Sequence, residues 1–151
     1  MLRLDRTVRA DVAASPSACL NLLGDVEGYP RWSRLVRSAE AHDDAIGLRA
    51  EVLGLTVEME CALEVGRDTA VLRRLPYDEG DDERFTATWT VRRKGVGATV
   101  QLHVTAAIDL PGPAGLLRGR IERRLADDLL ADLVAAAAGV DQGGPAKPDP
   151  D

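Results

Sequence analysis

A strand, a helix and a short helical turn follow one another within the stretch Val12-Ala-Ala-Ser-Pro-Ser-Ala-Cys-Leu-Asn-Leu-Leu-Gly-Asp-Val-Glu-Gly-Tyr-Pro-Arg-Trp32. Ser15 and Pro16 are typical of a helix start, because serine caps a backbone amide and proline at the first helical position has no N–H to leave unpaired. Gly24 ends this helix, and Trp32 adds a large apolar side chain that the fold must cover. No catalytic motif is visible in the stretch, so it informs the fold rather than the chemistry.

Alternation of apolar and polar residues along the rest of the chain predicts about seven antiparallel strands. They cover residues 2–12, 36–42, 46–53, 57–65, 69–75, 84–91 and 100–109, with turns or loops at 43–44, 66–68, 77–83 and 94–97. In the clearest strand Val57, Met59 and Cys61 share one face and glutamates occupy the other. The first strand keeps the alternation except at Arg6.

A long amphipathic helix is predicted after the strands. Pro111-Gly-Pro113 ends the sheet, and one helix of about 37 Å runs from about Ala114 to Ala138. Its apolar stripe consists of Leu117, Ile121, Leu125, Leu129 and Leu133. A sheet and a helix that each have one apolar face bury both only if the sheet curls around the helix. We therefore expect an α+β fold with one domain over residues 1–139 and a disordered tail over residues 140–151.

Composition narrows the function classes. The chain has 151 residues, the usual size of one domain, and 25 acidic against 19 basic side chains argue against attraction to nucleic acid or anionic lipid. Cys19 and Cys61 form no metal-binding motif and are interpreted as small buried apolar residues. The longest uncharged apolar run, Leu133 to Val140, is too short to span a bilayer. We expect a cytoplasmic monomer or homodimer without cofactor or metal.

A motif and the order of elements together resemble the START-like helix-grip superfamily, also called SRPBCC or polyketide cyclase/dehydrase. The motif residues are Ala14, Pro16, Cys19, Leu22, Asp25, Glu27, Tyr29, Pro30 and Trp32. A second match is Trp89-Thr-Val followed by Gly97-Ala-Thr-Val-Gln-Leu, like the penultimate hairpin of the family. The resemblance covers roughly residues 3 to 139. It implies a Bet-v-1-like fold, in which a curved sheet and a long C-terminal helix enclose a cavity for a hydrophobic small-molecule ligand.

Small inward-facing side chains are consistent with such a cavity. Ala50, Cys61, Ala87 and Ala106 stand where a solid core would use leucine or phenylalanine, although they could also simply allow close packing of helix and sheet. An empty void of about 300 Å³ would cost about 7 kcal/mol, so any cavity must be smaller, wet or occupied. The candidate ligand-binding residues are Trp32, Ala50, Val52, Leu53, Leu55, Val57, Met59, Cys61, Phe85, Ala87, Trp89, Leu102, Val104, Leu117, Ile121 and Leu125.

The hairpin tip Leu53-Gly54-Leu55 carries two leucines where a turn normally exposes polar residues. It resembles the apolar hairpin of the coenzyme-Q-binding branch of the superfamily, which implies a quinone or lipid-like ligand. One hypothesis is that Leu53 and Leu55 form the cavity mouth together with Leu116 and Leu117. The alternative is that the two hairpin leucines pack on the end of the C-terminal helix.

Catalytic groups are scarce. Polyketide cyclases of the superfamily orient a reactive chain with inward arginine and tyrosine, yet the inward face of residues 46–65 has no Arg, Tyr or His. Arg73 and Arg74 are the remaining candidates, because neighbours in a strand point to opposite faces and one of them should face inward. Both could instead extend into solvent from a strand end. His42 and His103 are expected on the surface, and no catalytic triad can be assembled.

Three functions follow from these observations. The first is a binding protein for a lipid, quinone or polyketide-like molecule. The second is a polyketide cyclase or dehydrase acting on a poly-β-keto chain, in which the shape and electrostatics of the cavity do most of the work. The third is an interaction protein similar to ribosome-associated toxin members of the superfamily, which the acidic charge disfavours.

Overall fold

The computed structural model of the chain describes residues 1–109 and 116–143, with side chains up to residue 139. Seven antiparallel strands form one sheet: β1 (Leu2–Val12), β2 (Val36–His42), β3 (Ala45–Val52), β4 (Leu55–Val65), β5 (Thr69–Arg74), β6 (Arg84–Lys94) and β7 (Gly97–Ile108). Their spatial order is β1-β7-β6-β5-β4-β3-β2. The helices are α1 (Pro16–Gly24), a short 3₁₀ turn (Val26–Gly28), α2 (Tyr29–Trp32) and the segments of the C-terminal helix described below. The expected α+β helix-grip fold is confirmed.

The predicted faces of the strands are confirmed almost throughout. Phe85, Ala87, Trp89 and Val91 of β6 are buried against the C-terminal helix side, as are the alternate residues of β7. The exception is Val65 at the end of β4, which is 52% exposed.

The break in alternation at Arg6 has a tertiary cause. Arg6 lies on the inner side of β1, where its guanidinium donates to both carboxylate oxygens of Asp127 at 2.5 and 2.8 Å. Hydrogen bonding from Arg6 holds the pKa of Asp127 below its ordinary value. The charged Arg6 side chain on the apolar face therefore binds the first strand to the final helix.

The start of α1 follows the predicted capping scheme. The Ser15 hydroxyl oxygen accepts a hydrogen bond from the Ala18 backbone N–H at 3.1 Å, with Pro16 in the first turn. Cys19 and Leu23 are fully buried on the inner face of this helix. The interpretation of Cys19 as a small buried residue is confirmed.

The C-terminal helix is not one regular α-helix, contrary to the prediction. It consists of α3 (Arg118–Glu122), a π-helical turn (Arg123–Asp128) and α4 (Leu129–Gly143). The apolar stripe repeats every four residues, and such a row drifts by about 40° per step around a helix of 3.6 residues per turn. A wider π turn reduces this drift, so Ile121, Leu125 and Leu129 all remain buried against the sheet.

The helix also continues to Gly143, beyond the predicted end near Ala138. The predicted sheet terminator Pro111–Pro113, the predicted helix start at Ala114 and residues 144–151 of the predicted tail lie outside the described residues. β5 ends at Arg74, one residue before its predicted end.

Candidate ligand cavity

An apolar cavity of about 50 Å³ lies between the inner face of the sheet and the C-terminal helix. Its wall consists of Tyr29, Leu35, Val36, Leu48, Ala50, Val52, Leu55, Val57, Met59, Leu72, Phe85, Ala87, Trp89, Ile108, Ile121, Leu125 and Leu129. At about 24 cal/mol per Å³, an empty space of this size costs only about 1 kcal/mol. A cavity in this fold had to be small, wet or occupied, and the structure shows a small one.

The cavity wall offers few polar groups. Its polar side-chain atoms are the Tyr29 hydroxyl, the Trp89 indole N–H and the Met59 sulfur, and none of its side chains is charged. The Tyr29 hydroxyl donates to the Leu23 carbonyl at 2.7 Å, and burial raises the pKa of the phenol. Because that proton is held by the end of α1, Tyr29 is unsuited to act as an acid or base at neutral pH.

Many of the sequence-predicted ligand residues do lie on the cavity wall. They are Ala50, Val52, Leu55, Val57, Met59, Phe85, Ala87, Trp89, Ile121 and Leu125. Their common feature is an inward position on β3, β4 or β6, or on the stripe of the C-terminal helix. Alternation and helical spacing predict positions of this kind.

The other predicted ligand residues do not line the cavity. Cys61, Leu102 and Val104 are buried in solid packing, and burial raises the pKa of the Cys61 thiol to about 12. Trp32 packs its ring against Tyr29, with centroids 5.0 Å apart. Its indole N–H is buried without a hydrogen-bond partner among the described residues. An inward direction thus places a side chain in the core, but not necessarily beside the void.

Sequence reasoning missed Tyr29, Leu35, Val36, Leu48, Leu72, Ile108 and Leu129. Leu48, Ile108 and Leu129 follow the alternation of β3 and β7 or the apolar stripe of the final helix, so the pattern could have included them. Tyr29 was noted only as a motif residue and begins α2, whereas Leu35 and Val36 depend on the turn after α2. There the buried Ser33 hydroxyl accepts from the Leu35 and Val36 backbone N–H groups at 3.1 and 3.3 Å and turns the chain inward.

The predicted mouth leucines do not converge on the cavity. Leu55 lines it, whereas Leu53 and Gly54 form the hairpin turn with φ angles of 51° and 83° and border a separate polar groove. Leu116 is 87% exposed, and Leu117 packs at the edge of the core. In the described part of the chain the four leucines therefore share no common opening, contrary to the hypothesis of a four-leucine mouth.

Arg74, not Arg73, lies on the inner side of β5, and its side chain is only 5% exposed. Its guanidinium donates to the Asp81 carboxylate at 2.7 Å and to the Glu83 carbonyl at 2.9 Å, and it lies 5.1 Å from the centre of the Tyr77 ring. These contacts fold the loop after β5 back onto the sheet. Arg73 is exposed. Neither arginine lines the cavity.

Removal of the Asp81 charge should make stability less sensitive to acid. Hydrogen bonding from Arg74 lowers the pKa of Asp81 from 3.8 to about 2. The ionised carboxylate therefore adds stability above the unfolded pKa, and this stability is lost as the pH falls from about 3.8 toward about 2. Urea unfolding across this range should show a flatter pH dependence for Asp81→Asn. Asp82→Asn on the same loop is the control, and equal acid dependence in both variants and the wild type would contradict the assignment.

Both histidines are on the outer surface, as predicted. His42 Nε2 lies 3.3 Å from a Glu60 carboxylate oxygen, and His103 Nε2 lies 2.8 Å from Asp5. Within residues 1–109 and 116–139, no three His, Cys, Asp or Glu side chains are grouped to bind a metal ion. None of the helices in these ranges is long and apolar enough to cross a membrane.

Comparison with known proteins gives a family and a fold. Residues 12–134 match the sequence model of the family described as polyketide cyclase / dehydrase and lipid transport. The chain is similar in structure to a START superfamily protein from Mycobacterium smegmatis, with 16% identity, a TM-score of 0.71, and coverage of 93% of this chain and 99% of that chain. No curated protein matches the chain.

Two further solved structures share the fold. The Zhui aromatase/cyclase from Streptomyces sp. R1128 has 17% identity and a TM-score of 0.72, with 95% of this chain and 98% of that chain covered. A STAR-related lipid transfer protein fragment from Xanthomonas axonopodis has 16% identity and a TM-score of 0.66, with 88% and 85% covered.

Proposed function

Since the chain belongs to the polyketide cyclase / dehydrase and lipid transport family, we propose that it binds an apolar or amphipathic small molecule between its sheet and its C-terminal helix. The observation that carries this proposal is the uncharged wall of the cavity. Transfer of a hydrocarbon chain from water to such a wall gains about 25 cal/mol per Å² of buried surface. A lipid or quinone tail supplies that surface.

Binding requires the cavity to expand. Ligand pockets usually measure about 300–1,000 Å³, and an engineered apolar cavity of about 150 Å³ holds benzene, whereas this cavity has about 50 Å³. Met59 is the most adaptable side chain of the wall, because its unbranched thioether has several accessible rotamers. The ligand-free form is thus a collapsed state that a ligand forces apart.

A second candidate is polyketide cyclase or dehydrase activity, which the family description names. The Streptomyces aromatase/cyclase has the same fold. A poly-β-keto chain carries many carbonyl groups, and each one buried without a hydrogen-bond donor costs about 1–3 kcal/mol. The wall offers few donors and no charged general acid, so binding of a hydrocarbon-rich molecule ranks first.

Native mass spectrometry of freshly purified protein tests the proposal. We expect a copurified lipid or quinone as an added mass that dissociates on activation. The uncharged fluorophore N-phenyl-1-naphthylamine provides a second measurement, because its emission rises in an apolar site. Absence of both the added mass and any fluorophore binding would refute the proposed function.

A further inference from the structure

We propose that the ligand reaches the cavity through a gap in the sheet beside the end of β5, and not past the hairpin tip at Leu53-Gly54-Leu55. This inference rests on the proposed binding function, whose site it extends.

The gap results from unequal strand lengths. β4 and β6 have 11 residues each, whereas β5 between them has only 6. The β4–β5 ladder runs from Val65 opposite Ala70 to Cys61 opposite Arg74 and then stops. One further backbone hydrogen bond, from Leu75 N–H to the Glu60 carbonyl at 2.7 Å, closes the ladder. The first half of β4 therefore has no strand neighbour on this side of the described sheet.

A recess of about 230 Å³ occupies this gap and leads toward the cavity. Val57, Met59, Phe85 and Ile108 line both the recess and the cavity. These four side chains form a wall that is common to the two spaces. Met59 is the member of this wall whose motion we expect to connect them, because its unbranched thioether has several accessible rotamers.

The rim of the recess is polar, while its floor is apolar. The rim residues are Thr56, Glu58, Arg74, Glu83, Arg84 and Asp109. Arg74 fixes the adjoining loop through Asp81 and Glu83, so the opening has a defined edge. A charged rim above an apolar floor suits an amphipathic molecule that enters chain first and leaves its polar end outside.

The groove at the hairpin tip, which is the alternative entrance, is lined by ion pairs. It measures about 250 Å³, but of the residues that line the cavity it shares only Leu35. Three ion pairs lie along its walls. Arg34–Asp132 at 2.9 Å joins the segment after α2 to α4, Arg37–Glu51 at 2.7 Å joins β2 to β3, and Arg124–Asp128 at 3.1 Å lies within the final helix. Passage here would require the Arg34–Asp132 pair to separate, whereas the recess beside β5 already shares four wall residues with the cavity.

A pair of cross-strand neighbours provides a matched test. Thr56 and Glu51 are exposed partners in the β3–β4 ladder, but Thr56 lies on the rim of the gap and Glu51 on the hairpin groove. Stopped-flow fluorescence would measure the association rate constant of N-phenyl-1-naphthylamine with the full chain. We expect Thr56→Trp to slow association by at least about tenfold and Glu51→Trp to change it less than about twofold.

Arg84→Trp, on the opposite side of the rim, is the second variant and should also slow association, which keeps the test valid if Thr56→Trp does not fold. The inference is overturned if both rim variants fold and bind at the wild-type rate, or if Glu51→Trp is the slow variant. Failure of the wild type to bind the fluorophore refutes the proposed function itself. Normal binding with unchanged rates refutes only the entrance.

Discussion

Replacement of Trp89 by alanine is expected to lower the free energy of unfolding by about 3–5 kcal/mol. Trp89 lies in the middle of β6, is 1% exposed and forms part of the cavity wall on the side of the sheet. Its loss removes the largest fully buried side chain of the described core. Since a domain is usually stable by about 5–15 kcal/mol, much of the total stability is at stake. Urea-induced unfolding followed by far-UV circular dichroism would measure the change.

Trp89→Phe is the control for this substitution, because it keeps an aromatic ring and should lose less than half as much stability. The enlarged cavity of Trp89→Ala should also bind an apolar molecule better, so addition of N-phenyl-1-naphthylamine should recover part of the lost stability by mass action. A loss below about 1 kcal/mol would show that Trp89 is not packed as described.

Ala87→Leu is expected to abolish binding of N-phenyl-1-naphthylamine, with a loss of at least about a hundredfold in affinity, or about 2.8 kcal/mol. Ala87 is 1% exposed and lies on the cavity wall. The additional carbons of leucine would occupy the free space of about 50 Å³ and prevent its expansion. Overpacking of a core usually costs about 1–3 kcal/mol of the free energy of unfolding. Because the added carbons of Ala87→Leu fill an existing void, the loss should be smaller than this.

Ala106→Leu provides the matched control, since Ala106 is buried on the inner face of β7 but does not line the cavity. Fluorescence titration of both variants, with unfolding curves to show that they are folded, separates occupation of the cavity from general overpacking. Unchanged affinity in folded Ala87→Leu would place the binding site elsewhere. Equal loss in both variants would show that the effect is not specific to the cavity wall.

Local signals accounted for most of the architecture. Alternation at period two identified all seven strands, and the Ser15-Pro16 pair marked the start of α1. The apolar stripe at intervals of four residues located the C-terminal helix, although its π-helical turn was not predicted. These features depend on residues a few positions apart, so the chain encodes them locally.

The candidate site was only partly accessible to the same reasoning. Ala87 and Leu102 both face inward on neighbouring strands, yet only Ala87 adjoins the cavity. Arg74 and Asp81 form a buried ion pair that no spacing rule predicted. The first outcome depends on how closely the helix approaches each part of the sheet, and the second depends on how the loop after β5 folds back onto it.

From its amino-acid order alone, this chain specified the strands, the two faces of its sheet, the amphipathic final helix and the family. The three-dimensional packing decided which inward side chains border the void, that Arg6 binds Asp127 and where the short β5 opens the sheet wall. The physical reason is the distance along the chain over which each kind of interaction acts. Backbone dihedrals and side-chain periodicity act over a few residues, whereas a cavity exists only where elements distant in the chain fail to fill the space between them.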